Sequence, residues 1–99
     1  DCKFSVSYNS DLEKVKVLLN NIVEDGELLL TDPKPIIGVA DYEESGIVWD
    51  MLVWTHAEDR FRAKYYLGET VKKVFEENGI EIPYPHMDIR VQSEDVRDL

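Results

Sequence analysis

Apolar and polar residues alternate from Lys3 to Tyr8, with Phe4, Val6 and Tyr8 on one face and Ser5 and Ser7 on the other. That period of two predicts a half-buried strand. Ser10-Asp11-Leu12-Glu13 then reads as a capping box, with Ser10 and Glu13 satisfying the free amides at a helix start. Leu12, Val15, Leu19 and Ile22 follow at helical spacing, Leu18 widens the stripe, and Gly26 lies just beyond. Thr31-Asp32-Pro33-Lys34-Pro35 holds the backbone extended, because proline lacks a donor and restricts the residue before it. A second strand is expected over Ile36–Tyr42, a turn at Glu43-Glu44-Ser45-Gly46 and a third, very apolar strand over Ile47–Trp54. So short a turn makes the pair an antiparallel hairpin.

A second helix is expected from near Glu58 to Asn78-Gly79, with Phe61, Tyr65, Gly68, Val71 and Phe75 as its buried stripe. Gly68 inside that stripe marks a close approach of the helix to the sheet. Thr55 and Glu58 form a second capping box, and Glu58 with Arg62 and Glu69 with Lys73 are spaced as favourable pairs. Ile80 to Pro85 is extended, Asp88 to Val91 alternates like a last strand, and Ser93 to Leu99 is a polar tail expected to fray.

The order strand, helix, strand, strand, helix, strand defines the fold class as α+β. With right-handed crossovers it becomes a ferredoxin-like βαββαβ sandwich, a four-stranded antiparallel sheet with two helices on one face. In the third strand Ile47, Trp49, Met51 and Val53 are expected to face the helices, leaving Val48, Asp50, Leu52 and Trp54 to face away. Three of those four are apolar, which has two readings. Either a neighbouring domain or subunit covers the open face, making Val48, Leu52 and Trp54 interface residues, or the core wraps around one sheet edge.

Composition narrows the function classes. Ninety-nine residues make one domain, expected to span 1–99 with an ordered core over about 3–91. The first residue is Asp1 with no leader visible, as in a fragment excised from a longer protein. No run approaches the roughly 18 consecutive apolar residues of a membrane-spanning helix. Eleven basic against twenty-one acidic residues give a formal charge of −10, which argues against nucleic acid and anionic membrane surfaces as partners. Cys2 is the single cysteine and is read as a stray thiol, so neither an internal disulfide nor a multi-cysteine metal site is available.

Catalytic constellations are not evident. His56 and His86 belong to no triad sequence, and His56-Ala57-Glu58 lacks the paired cysteines of a zinc deaminase. A metal cluster of His56, Glu58, Asp59 and His86 is weaker than the reading of ordinary polar surface. The carboxylates at Asp41 to Glu44 and Glu94-Asp95 lack the form of a calcium loop, and no phosphate-cradling glycine loop is present. An RNA-recognition domain would need aromatic and basic residues where Lys3, Ser5 and Ser7 stand. An acylphosphatase-like enzyme would carry an arginine where Asn9-Ser10-Asp11 stands. No enzyme, cofactor or metal site is expected.

The segment from Val71 to Pro85, V-K-K-V-F-E-E-N-G-I-E-I-P-Y-P, resembles the C-terminal signature of the small-conductance mechanosensitive channel family. Phe4-Ser5-Val6-Ser7-Tyr8, Leu30-Thr31-Asp32-Pro33-Lys34-Pro35 and the strand ending in Val53-Trp54 agree in order and spacing, so the resemblance covers about Phe4 to Val91. Its motif residues are Gly79, Ile80, Ile82, Pro83, Tyr84 and Pro85, which serve either as a stiff connector or in assembly. His86 stands where the family often has glutamine. The resemblance implies a cytoplasmic cage domain on the inner face of the cell membrane, in a homo-oligomer, a heptamer in the family. Its partners are then other subunits and the membrane part of the channel, and ions and small solutes pass through the cage during hypo-osmotic shock. The alternative is a ferredoxin-like regulatory module that binds a small ligand or a partner protein.

Overall fold

In the computed structural model the chain is described over residues 2–83, 87–89 and 91–93. Strand β1 is Cys2–Val6, helix α1 Leu12–Asp25, β2 Ile36–Tyr42, β3 Ile47–Leu52 and β4 Trp54–Thr55. A 3-10 turn at Ala57–Asp59 leads into α2, Arg60–Glu77, followed by β5, Met87–Ile89, and β6, Gln92–Ser93. The α+β class read from the sequence holds, and the second strand and its turn lie where the pattern placed them.

One sheet has the order β2-β3-β1-β5. Its neighbouring strands are all antiparallel, with a bulge in β2 between Val39 and Asp41. The register pairs Cys2 with Met51, Phe4 with Trp49 and Val6 with Ile47, so these buried residues share one face. They form a single core with Val15, Leu19, Ile22 and Val23 of α1 and Ala63, Leu67, Val71 and Phe75 of α2. Phe4 and Phe75 meet edge to face, with ring centroids 5.5 Å apart. Cys2 is therefore a core residue rather than a stray thiol, on the same parity as Phe4 and Val6.

Six local expectations are corrected. The first strand stops at Val6, which leaves Tyr8 exposed beyond it, and Leu12 of the expected α1 stripe is exposed. Asp11, not Ser10, caps α1, its carboxylate accepting from the amides of Glu13 at 2.9 Å and Lys14 at 3.4 Å. Ser10 is drawn into the preceding turn, where its amide donates to the Ser7 carbonyl. Thr55 caps nothing: it is fully buried, and its hydroxyl donates to the carbonyl of Leu28. On α2, Phe61 and Tyr65 are 69% and 66% exposed, because the helix turns Ala63 and Leu67 to the core instead. The ion pairs on that helix join Asp59 to Arg62 and Lys72 to Glu76, rather than Glu58 to Arg62 and Glu69 to Lys73.

The third strand also ends earlier than expected. Val53 is buried outside any strand, and Trp54 and Thr55 leave the main sheet. They pair in parallel with Gln92 and Ser93, and Leu30 bridges to Trp54 on the other side. Ser93 is thus in a strand, while the remainder of the tail expected to fray lies outside the described residues.

Candidate functional site: the helix exit and the open sheet face

The exit of α2 is built by hydrogen bonds that only a left-handed residue permits. Gly79 has φ +70°, its amide donates to the Glu76 carbonyl, and the Ile80 amide reaches back to the Phe75 carbonyl at 2.9 Å. This is the Schellman pattern, and Ile80 and Phe75, both buried, supply its apolar contact. Lys14 donates its ammonium to the Asn78 carbonyl at 2.8 Å, placing a cation at the negative end of the helix. The chain then crosses the end of the sheet, where the Ser7 amide donates to the Glu81 carbonyl at 2.9 Å. Ile82 and Pro83 are half-buried. A Cβ on Gly46 would lie 3.2 Å from Pro83 Cγ, so the first proline of the motif rests on the β2–β3 turn. Tyr84, Pro85 and His86 lie outside the described residues.

The sheet face away from the helices carries Lys3 and Ser5 of β1, Val48, Asp50 and Leu52 of β3, and Ile36 and Gly38 of β2. Val48, Asp50 and Leu52 are half-buried and Ile36 is exposed. One Asp50 carboxylate oxygen is buried and has no partner among the described residues, although Lys3 is its cross-strand neighbour. Trp54 is half-buried on β4, between Leu30 and Gln92, and so stands apart from Val48 and Leu52 on the main sheet. The three residues expected on one open face are therefore divided between two sheets.

An exposed aromatic surface on α2 lies where a buried stripe was expected from the sequence. Phe61 and Tyr65 stand exposed one turn apart on α2, with the Arg60 guanidinium 6.0 Å from the Phe61 ring centroid. A groove of about 260 Å³ runs beside them, lined by Arg60, Phe61, Lys64, Ile89 and Val91. The signal was present in Ala63, Leu67 and Val71 at steps of four, which offer an alternative apolar stripe to the aromatic one. Gly68 does mark a close approach, since a Cβ there would lie 2.9 Å from Ile89 Cδ1 of β5.

Among the described residues no three histidine, cysteine or acidic side chains are grouped to hold a metal ion. No helix there is long and apolar enough to cross a membrane.

The chain is similar to known proteins along its whole length. Residues 1–82 match the family model described as "Mechanosensitive ion channel MscS, C-terminal". An uncharacterized MscS family protein of Synechocystis sp. is 27% identical over 99 residues, covering 100% of this chain and 33% of that protein. An uncharacterized MscS family protein of Buchnera aphidicola subsp. Baizongia pistaciae is 33% identical over 87 residues, covering 88% of this chain and 31% of that protein. A protein named small-conductance mechanosensitive channel in Helicobacter pylori is 30% identical over 91 residues, covering 91% of this chain and 33% of that protein. The chain spans about a third of the length of these relatives. With the match running from β1 through the helix exit, the chain belongs to the MscS mechanosensitive ion channel family, in its C-terminal region.

Proposed function

We propose that this chain is one domain, 1–99, of the cytoplasmic cage of a small-conductance mechanosensitive channel that releases ions and small solutes on hypo-osmotic shock. The observation that carries the reading is the family match over residues 1–82, a region that includes the structured exit of α2. Its strand order supports a ferredoxin-like sandwich, with a small second sheet added by the departure of Trp54 and Thr55. The domain does no chemistry of its own in this reading. It forms a wall of the cage on the inner side of the cell membrane, in a homo-oligomer that the family suggests is a heptamer.

Gly79, Ile80, Ile82 and Pro83 carry the chain out of α2 and across the end of the sheet, and the assembly role proposed for this motif extends to Tyr84 and Pro85. Half-buried apolar residues in one isolated copy favour burial against another surface, which is the role proposed for Val48, Leu52 and Trp54. The test is osmotic-downshock survival of cells lacking their own channels and supplied with the full-length protein that carries this domain. Restored survival, with tension-gated conductance in membrane patches, is the expected result. Full expression with neither conductance nor rescue would overturn the reading.

A further inference from the structure

Two exposed patches of opposite charge stand at opposite corners of the domain. The first is the start of α2, where Arg60 and Lys64 are exposed beside Phe61 and Tyr65 and have no carboxylate partner among the described residues; of the acids in the preceding turn, Asp59 is paired with Arg62 and Glu58 with neither cation. The second is the β2–β3 hairpin, where Asp41, Glu43 and Glu44 are exposed beside Tyr42, and none pairs with a cation among the described residues. Tyr8 stands over that hairpin, donating its hydroxyl to the Glu43 carbonyl.

The topology keeps the patches apart within one copy. Val6 pairs with Ile47, which puts the hairpin turn at one end of the sheet. Cys2 pairs with Met51 and Ile89, which puts the start of α2 at the other end. The hairpin includes edge strand β2, whereas the α2 groove is lined by Ile89 of the opposite edge strand β5. Neither patch can satisfy the other in the same molecule.

We infer that the basic aromatic face of α2 docks against the acidic aromatic β2–β3 hairpin of a second copy of this chain. Copies that each carry a formal charge of −10 repel one another over most of their surface. Contact is favoured where a local cationic patch meets a local anionic one, and aromatic residues on both sides supply desolvated area. Because the two halves are different surfaces, the contact is head-to-tail and repeats from copy to copy, which closes a ring if the rotation allows. The inference deepens the proposed cage role and rests on it only for the biological setting.

Reciprocal charge exchange tests the contact. One variant carries Arg60→Glu with Lys64→Glu, a second carries Glu43→Lys with Glu44→Lys, and sedimentation of the whole chain is followed over a concentration series. Association of the unaltered chain should weaken about tenfold in either variant alone and return when the two are mixed. Unchanged melting curves, expected for exposed positions, show that the variants fold. A monomeric unaltered chain at every concentration, or variants that associate as it does, would overturn the contact. So would loss in the helix variant alone that mixing does not repair, which would assign the helix face to some other segment. Downshock survival tests the channel reading separately, so failure of one is distinguishable from failure of the other.

Discussion

Gly79 shows how much a single backbone angle carries. At φ +70° a side chain meets the neighbouring carbonyl, so Gly79→Ala should lower the unfolding free energy by about 1 kcal/mol. Urea unfolding with an unchanged slope and a lower midpoint would show it. The asparagine-glycine pair after a helical pattern made this position legible. Thr55 was less so, because its burial follows from where Leu28 runs. Asp50 is a different case: a strand residue with one buried oxygen unpartnered among the described residues. Leaving such an atom unpaired costs about 1–3 kcal/mol, and valine is a better strand former. Asp50→Val should therefore raise the melting temperature of the isolated chain, and a lower one would mean that the carboxylate has a partner in solution.

The two helices differ in how well their faces could be read. In α1 the stripe of Leu12, Val15, Leu19 and Ile22 admits one phase, and the structure adopts it from Val15 onward with Val23 added, leaving Leu12 exposed in the first turn. In α2 two stripes share Val71 and Phe75, and the choice between them turns on whether Phe61 and Tyr65 or Ala63 and Leu67 enter the core. Size favours the aromatics, but Ala63 and Leu67 are the residues turned into the packed interior. Leu67→Ala should accordingly cost about 2–5 kcal/mol, whereas Phe61→Ser and Tyr65→Ser should each stay within about 0.5 kcal/mol. Equal losses in a denaturation series would place the aromatics back in the core. At the α1 start the same comparison separates the caps: Asp11→Ala should cost about 1 kcal/mol and Ser10→Ala much less.

Over the whole molecule, charge and exposed apolar area are the quantities that bear on assembly. In a full-length Trp54→Asp, Leu52→Asp, Pro83→Ala, Pro85→Ala variant, cross-linking should report fewer complete oligomers, and unchanged assembly would remove these residues from the contacts. In the proposed cage the −10 charge, repeated from copy to copy, should bias narrow portals toward cations, since screening over about 8 Å confines the field to them. Neutralising exposed acids outside the two docking patches, such as Glu24 and Glu27, should then shift the reversal potential of the open channel. An unshifted potential would leave the acids a solubilising role.

The order of the main elements, the hairpin, the α1 stripe and the helix stop at Gly79 were determined by the sequence itself. Each rests on interactions between residues close in the chain, where periodicity, proline and glycine act directly on the backbone. The family could be read from the run G-I-E-I-P-Y-P for the same reason. The phase of α2, the cap at Asp11, the burial of Cys2 and Thr55 and the second small sheet were decided in the tertiary structure. There, two locally acceptable arrangements differed only in what they met across the core. The paired corners of opposite charge belong to that second kind, because no distance along the chain reveals that a helix start and a hairpin lie at opposite ends of one sheet.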